Sequence, residues 1–222
     1  MLRLYTSSLL GIVTLVGFGS SIESAKAQTT YGFNTTYDGS SALLKSITED
    51  VTARSISGLN IDAPYNLTKA SGFAYVKTDP TTGSYRYSSN PETFGLQNLP
   101  LGGVTLFGEG NNKLFYQVEN GIGVFNPETL TTTGSNTNII TGGEGLFQGA
   151  TGTLTGSEVY QVANLLVNPT SASIGRVTIN GNISVLTTQK VPEPNTTTAL
   201  AGIGIIGVTF LLRSIRRQIS TP

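Results

Sequence analysis

"RVTINGNISVLTT", residues 176–188, decides the fold class of this chain. Val177 and Ile179 alternate with polar residues, and Ile183 and Val185 resume the alternation after Asn180-Gly181. Period-two alternation of β-branched residues marks a half-buried strand, and Asn-Gly between two such runs predicts a type I′ hairpin. "KLFYQVENGIGVFNP", residues 113–127, has the same form around Glu119-Asn120-Gly121, with Leu114, Tyr116 and Val118 on one face and Phe115 on the other. "GFAYVKT" and "GVTLFGEG" supply further strands. "EVYQVANLLV", residues 158–167, fits a helical turn almost as well as a strand.

Outward from these runs, residues 28–190 are rich in Thr, Ser, Gly and Asn with Tyr and Phe spread along them, a composition that favours strands and turns. The expected fold is all-β, a single antiparallel barrel or sandwich over residues 28–190. "IITGGEGLFQGATGTLTG", residues 139–156, resembles the strand–turn–strand signature of allene oxide cyclase-like and dirigent-like barrels through Gly142, Gly143, Gly145, Phe147, Gly149, Ala150 and Gly152, with Glu144 where Thr is commoner. That resemblance implies a closed antiparallel barrel and carries no activity.

The chain has 222 residues, with thirteen basic against thirteen acidic side chains. Residues 28–192 hold eight Lys/Arg and eleven Asp/Glu, a net charge of −3, while Arg3, Lys26, Arg213, Arg216 and Arg217 sit towards the ends. A mildly acidic middle disfavours nucleic acid as a partner. With no Cys and no His, disulfides, thiol nucleophiles, Cys/His zinc sites and imidazole catalysis are excluded.

No catalytic, cofactor or metal motif emerges from what remains. Gly143-Glu144-Gly145 and Gly149 lack the Lys-Ser/Thr of a phosphate loop and read as turn glycines. Asp38, Glu49, Asp50, Asp62, Asp79 and Glu109 could furnish paired carboxylates for glycoside cleavage, but as scattered residues they read first as solvated charge. No calcium-loop pattern is present. Tyr31, Phe33, Tyr37, Tyr85, Tyr87 and Phe94 could stack on sugar rings if exposed, and core packing is the commoner fate of such residues. Sequons stand at Asn34, Asn66, Asn182 and Asn195.

Both ends read as addresses. Residues 1–27 have a positive start at Arg3, an apolar run and Ala25-Lys26-Ala27, the pattern of a secretory signal cleaved after Ala27. Near the other end, residues 196–212 are uncharged and would form a transmembrane helix of roughly 25 Å, flanked by Arg213, Arg216 and Arg217. Basic residues stay cytoplasmic, so the C-terminus would be cytoplasmic and residues 28–190 outside. Signal and tail give the same orientation.

Residues 191–218 resemble a PEP-CTERM sorting signal: Pro192-Glu193-Pro194, an apolar span, then the arginines. The resemblance implies recognition by an exosortase at Pro192, Glu193, Pro194, Arg213, Arg216 and Arg217, with cleavage near Pro-Glu-Pro, and placement beside extracellular polysaccharide. The leading expectation is an exported envelope protein, a non-catalytic structural or binding component associated with exopolysaccharide. Two alternatives stand beside it: a carboxylate-dependent enzyme on a β-barrel, and an uncleaved single-pass protein whose domain binds a partner.

Overall fold

The computed structural model describes residues 26–162 and 172–188. The signal segment before Lys26, the 196–212 span and the Pro-Glu-Pro tail lie outside them, as does the ambiguous stretch beyond Val162. Residues 28–187 form one compact unit.

Nine strands make one sheet: β1 (Lys26–Ser46), β2 (Val51–Leu59), β3 (Lys69–Thr78), β4 (Ser84–Ser88), β5 (Gly103–Phe107), β6 (Lys113–Asn126), β7 (Thr131–Glu144), β8 (Thr151–Gln161) and β9 (Ser173–Thr188). The expected all-β class is therefore present. Neighbours pair in the order β2-β1-β9-β8-β7-β6-β4-β3-β5, and β2 also pairs with β3, so the pairing returns to its start. β4 and β5 share one position end to end: each pairs antiparallel with β3 on one side and with β6 on the other. Where β9 meets β1, the Thr36 and Thr178 hydroxyls are 2.8 Å apart and Ser173 donates to the Ser41 carbonyl at 3.1 Å.

Both expected hairpins are single strands. β9 runs through Asn180-Gly181 without turning, and its register on β8 is unbroken from Ile174 to Ser184. Val177, Ile179, Ile183 and Val185 still share the inward face, as their alternation predicts. Gly181 has φ +154°, and a Cβ there would meet the Thr153 carbonyl and Leu154. Its glycine serves a close strand approach rather than a turn.

β6 likewise passes straight through Glu119-Asn120-Gly121, where a register shift between Val118 and Asn120 marks a β-bulge. The bulge inserts one residue and flips the parity. Leu114, Tyr116 and Val118 face inward before it; Gly121 is buried after it, while Ile122 and Val124 are exposed on the outer face.

The inner face carries the larger cluster, in which Phe33, Tyr37, Leu67, Leu106, Leu114, Phe147, Leu154 and Ile183 are at most 2% exposed. The strand–turn–strand expected at residues 139–156 is present. β7 ends at Glu144, a 3-10 turn spans Gly145–Phe147, and Gly145 and Gly149 take left-handed φ of 62° and 70°. Its side chain Phe147 packs edge-on against Tyr31 and Tyr65, and the Tyr65 hydroxyl donates to the Gly32 carbonyl at 2.9 Å. A second cluster lies on the outer face of β2 and β3, where Val51, Ala53, Phe73 and Tyr75 are covered by Phe94, Leu96 and Leu99. That cover is built locally: Asn90 accepts from the Glu92 amide at 3.0 Å, Pro91 opens a 3-10 turn, and Gly95 closes it in the left-handed region.

Candidate functional site: a cavity on the inner face

Along part of the inner face the side chains do not meet, and a cavity of about 420 Å³ remains. Small-molecule sites typically span ~300–1,000 Å³. Its volume follows from glycine at inward positions. Tyr85 pairs with Gly123 and Tyr87 with Gly121, so each ring lies across a strand position that has no side chain. The two rings stack with centroids 5.9 Å apart at 29°. A Cβ on Gly134 would meet Glu158 Oε1, and one on Gly156 would meet Asn136.

These bare positions let polar groups gather. Asn138 Nδ2 donates to Asn136 Oδ1 at 2.6 Å, and Asn136 Nδ2 donates to the Tyr87 hydroxyl at 2.9 Å. Tyr87 in turn hydrogen-bonds Glu158, and the Tyr85 hydroxyl lies 3.3 Å from Glu158 Oε1. The chain ends on Asn138 Oδ1, which is buried and has no hydrogen-bond partner. An orphaned buried acceptor costs about 1–3 kcal/mol. Among the described residues the Tyr116 and Tyr160 hydroxyls, which also line the cavity, have no protein hydrogen-bond partner either.

Charge is present as well. From β2, Arg54 reaches Ser41 on β1, with Nε 3.1 Å from Ser41 Oγ and Nη2 3.1 Å from the Ser41 carbonyl. Burial pulls the Arg54 pKa below its usual value. On β8, burial holds the Glu158 carboxyl above the ordinary glutamate value, outweighing the two tyrosine hydrogen bonds that lower it. Burial also raises the hydroxyls of Tyr85, Tyr87, Tyr116 and Tyr160, and the negative charge of Glu158 adds to each shift.

A raised carboxyl has a stability consequence. The folded protein keeps the Glu158 proton at pH values where the unfolded chain has released it, so this contribution is complete below the unfolded pKa, about 4.3, and is lost as pH rises through the folded value. Glu158→Gln is expected to flatten that decline and to be more stable than the wild type at neutral pH. Urea midpoints across a pH series check this, and parallel profiles for the two proteins would count against it.

Of the carboxylates and aromatics weighed as candidate site residues in the sequence, Tyr85, Tyr87 and Asp79 line the cavity, as do Tyr116, Val118, Val177 and Ile179 from the alternating runs. Asp79 accepts from the Thr81 amide at 2.8 Å and so ties its own turn. Asp50 pairs with Lys77 at 3.1 Å and Asp38 with Arg176 at 3.6 Å, while Glu109 accepts from Asn66 at 3.2 Å. Glu49 and Asp62 are exposed. Phe33 and Tyr37 belong to the inner cluster, Tyr31 packs on it, and Phe94 covers the outer one. Among the described residues no group of three or more Asp and Glu could hold a metal ion, and no helix is long and apolar enough to cross a membrane.

Arg54, Tyr116, Asn136, Asn138, Glu158 and Tyr160 are the cavity groups that sequence reasoning missed. One signal was available: Glu158 and Tyr160 follow Leu154 at period two, which places a carboxylate on an inward-facing register. The ambiguous reading of residues 158–167 obscured it.

One family model matches the chain, that of the PEP-CTERM protein-sorting motif, over residues 190–217. The match agrees with the resemblance of residues 191–218 and supports an exported protein sorted through exosortase. No curated protein matches the chain.

Proposed function

We propose that this is an exported, exosortase-sorted envelope protein whose closed β-domain is a barrel-type binding module for a small molecule held among its inward side chains. The observation that carries the binding half is the cavity of about 420 Å³ itself, with the Tyr116 and Tyr160 hydroxyls of its lining unpaired among the described residues. Its lining is mostly apolar with a few convergent polar groups, Arg54, Glu158, two asparagines and four tyrosines, which is the make-up of a small-molecule site. The association with exopolysaccharide rests on the tail and concerns destination. A cavity of this size suits a compact molecule better than a polymer.

Ala74 is 2% exposed and faces the cavity, so Ala74→Phe fills part of it without removing a polar group. The full chain in nonionic detergent is expected to retain the neutral probe 2-naphthalenemethanol in equilibrium dialysis, above a detergent-only blank. Ala74→Phe is expected to lose most of that retention. Equal retention by both proteins, or none by the wild type, rejects the cavity as a binding site.

The sorting half assigns a signal peptide to residues 1–27, cleaved after Ala27, and a span to residues 196–212 that anchors the chain until processing. Pro192-Glu193-Pro194 would be the exosortase site, since two prolines keep the backbone extended and out of strand or helix. Intact mass of the mature protein from its own host is expected to lack residues 213–217. A mature species that still carries them supports the uncleaved, single-pass reading instead.

A catalytic reading has one observation in its favour: Glu158 is a half-buried carboxyl of raised pKa, hydrogen-bonded to two tyrosines in a cavity. Among the described residues no second carboxylate is shown in contact with it, and Asp79, the other carboxylate of the lining, is tied to its own turn. Binding without turnover therefore remains the conclusion.

A further inference from the structure

The cavity's charges differ in how they are met. Tyr85 and Tyr87 hydrogen-bond Glu158, and its raised pKa lets it shed charge by taking a proton. Arg54 has neither outlet. Its two hydrogen bonds go to the hydroxyl and carbonyl of one serine, both neutral, and among the described residues no carboxylate lies within ion-pair distance. Residues 163–171, outside the described part, contain no Asp or Glu in sequence. A guanidinium cannot release its proton at physiological pH, so the half-buried Arg54 keeps its charge in the cavity with no counter-charge beside it.

The remaining lining is mostly aliphatic, with Val76, Val104, Val118 and Ile179 among its members. We propose that the cavity takes a small amphipathic acid, its carboxylate on the Arg54 guanidinium and its apolar body against these aliphatic side chains. A planar carboxylate matches the donor fork of arginine and supplies the charge that Ser41 cannot. Glu158 on β8 sets the opposite preference at its own position, so the acid is held at the β1–β2 side. This assignment rests on the binding reading of the cavity and names the class of molecule bound.

Three probes with one ring system and different head groups test it: 2-naphthoate, 2-naphthalenemethanol and 2-naphthylmethylammonium, dialysed against the full chain in nonionic detergent with a detergent-only blank. The acid is expected to bind about tenfold or more tighter than the alcohol, in keeping with a charge-assisted pair, and the ammonium weakest. Arg54→Gln is expected to abolish the preference for acid and leave retention of the alcohol in place, while Arg54→Lys keeps part of it. Equal binding of acid and alcohol by the wild type, or a preference for the ammonium, overturns the acid assignment and leaves the binding reading intact. Retention of none of the three overturns both. The wild-type comparison needs no variant, so a failure of Arg54→Gln to fold does not shelter the proposal.

Discussion

Phe147→Ala is expected to lower the unfolding free energy by about 3–5 kcal/mol, the range for deleting a fully buried aromatic ring. Phe147 is 0% exposed and stands in a three-ring cluster, with centroids 6.0 Å from Tyr31 and 5.9 Å from Tyr65. Tyr31 and Tyr65 meet edge-on at 5.4 Å, so removing Phe147 leaves a hole that both rings border. Tyr65 also holds a left-handed backbone, φ 57°, which a tyrosine adopts only when packing enforces it. Collapse of the neighbours into the hole is therefore restricted, which places the loss toward the upper end of the range. Urea unfolding of the full chain provides the measurement, with Leu146→Ala at the 40% exposed neighbouring position as the control. A loss no larger than that of the control would show that the cluster is not a stabilising unit.

Gly121→Val is expected to destabilise by about 1–3 kcal/mol, the range for overpacking a filled site. The cause is specific to its cross-strand partner. A Cβ on Gly121 would enter the Tyr87 ring, and displacing that ring breaks its hydrogen bonds with Asn136 and Glu158. Gly121 is not among the glycines with positive φ, so its backbone does not demand glycine. In a Tyr87→Leu background the same substitution should cost much less. The double-mutant cycle would give a coupling of about 1 kcal/mol or more, as for residues in contact. An equal cost in both backgrounds would assign the effect to the backbone and remove Tyr87 as the reason for the glycine.

Gly121 and Gly181 also mark where local reasoning reaches its limit. Asn-Gly between alternating runs has the local chemistry of a hairpin turn, and nothing within five residues of either site contradicts it. The competing demand comes from far along the chain: the Tyr87 ring on β4 covers Gly121, and the backbone at Thr153 on β8 approaches Gly181. A glycine required by a neighbour is indistinguishable in sequence from one required by φ. The same reason hid the cavity. Its polar groups come from strands spread along the whole domain, with Arg54 on β2 and Glu158 on β8 more than a hundred residues apart.

The sequence by itself determined what depends on short-range periodicity and on terminal signals: the all-β class, the inward face of Val177, Ile179, Ile183 and Val185, the strand–turn–strand at residues 139–156, and the sorting motif of residues 190–217. Side chains alternate across any strand, and a sorting signal must be readable in an extended chain, so both are written locally. Tertiary structure alone decided that the pairing closes from β1 through β9, that two apparent turns are straight strands, and that Arg54, Asn138 and Glu158 line one cavity. Those outcomes depend on which residues face one another across the interior. That is set by register and bulges, and one inserted residue at Glu119 is enough to reverse every side chain of β6 that follows it.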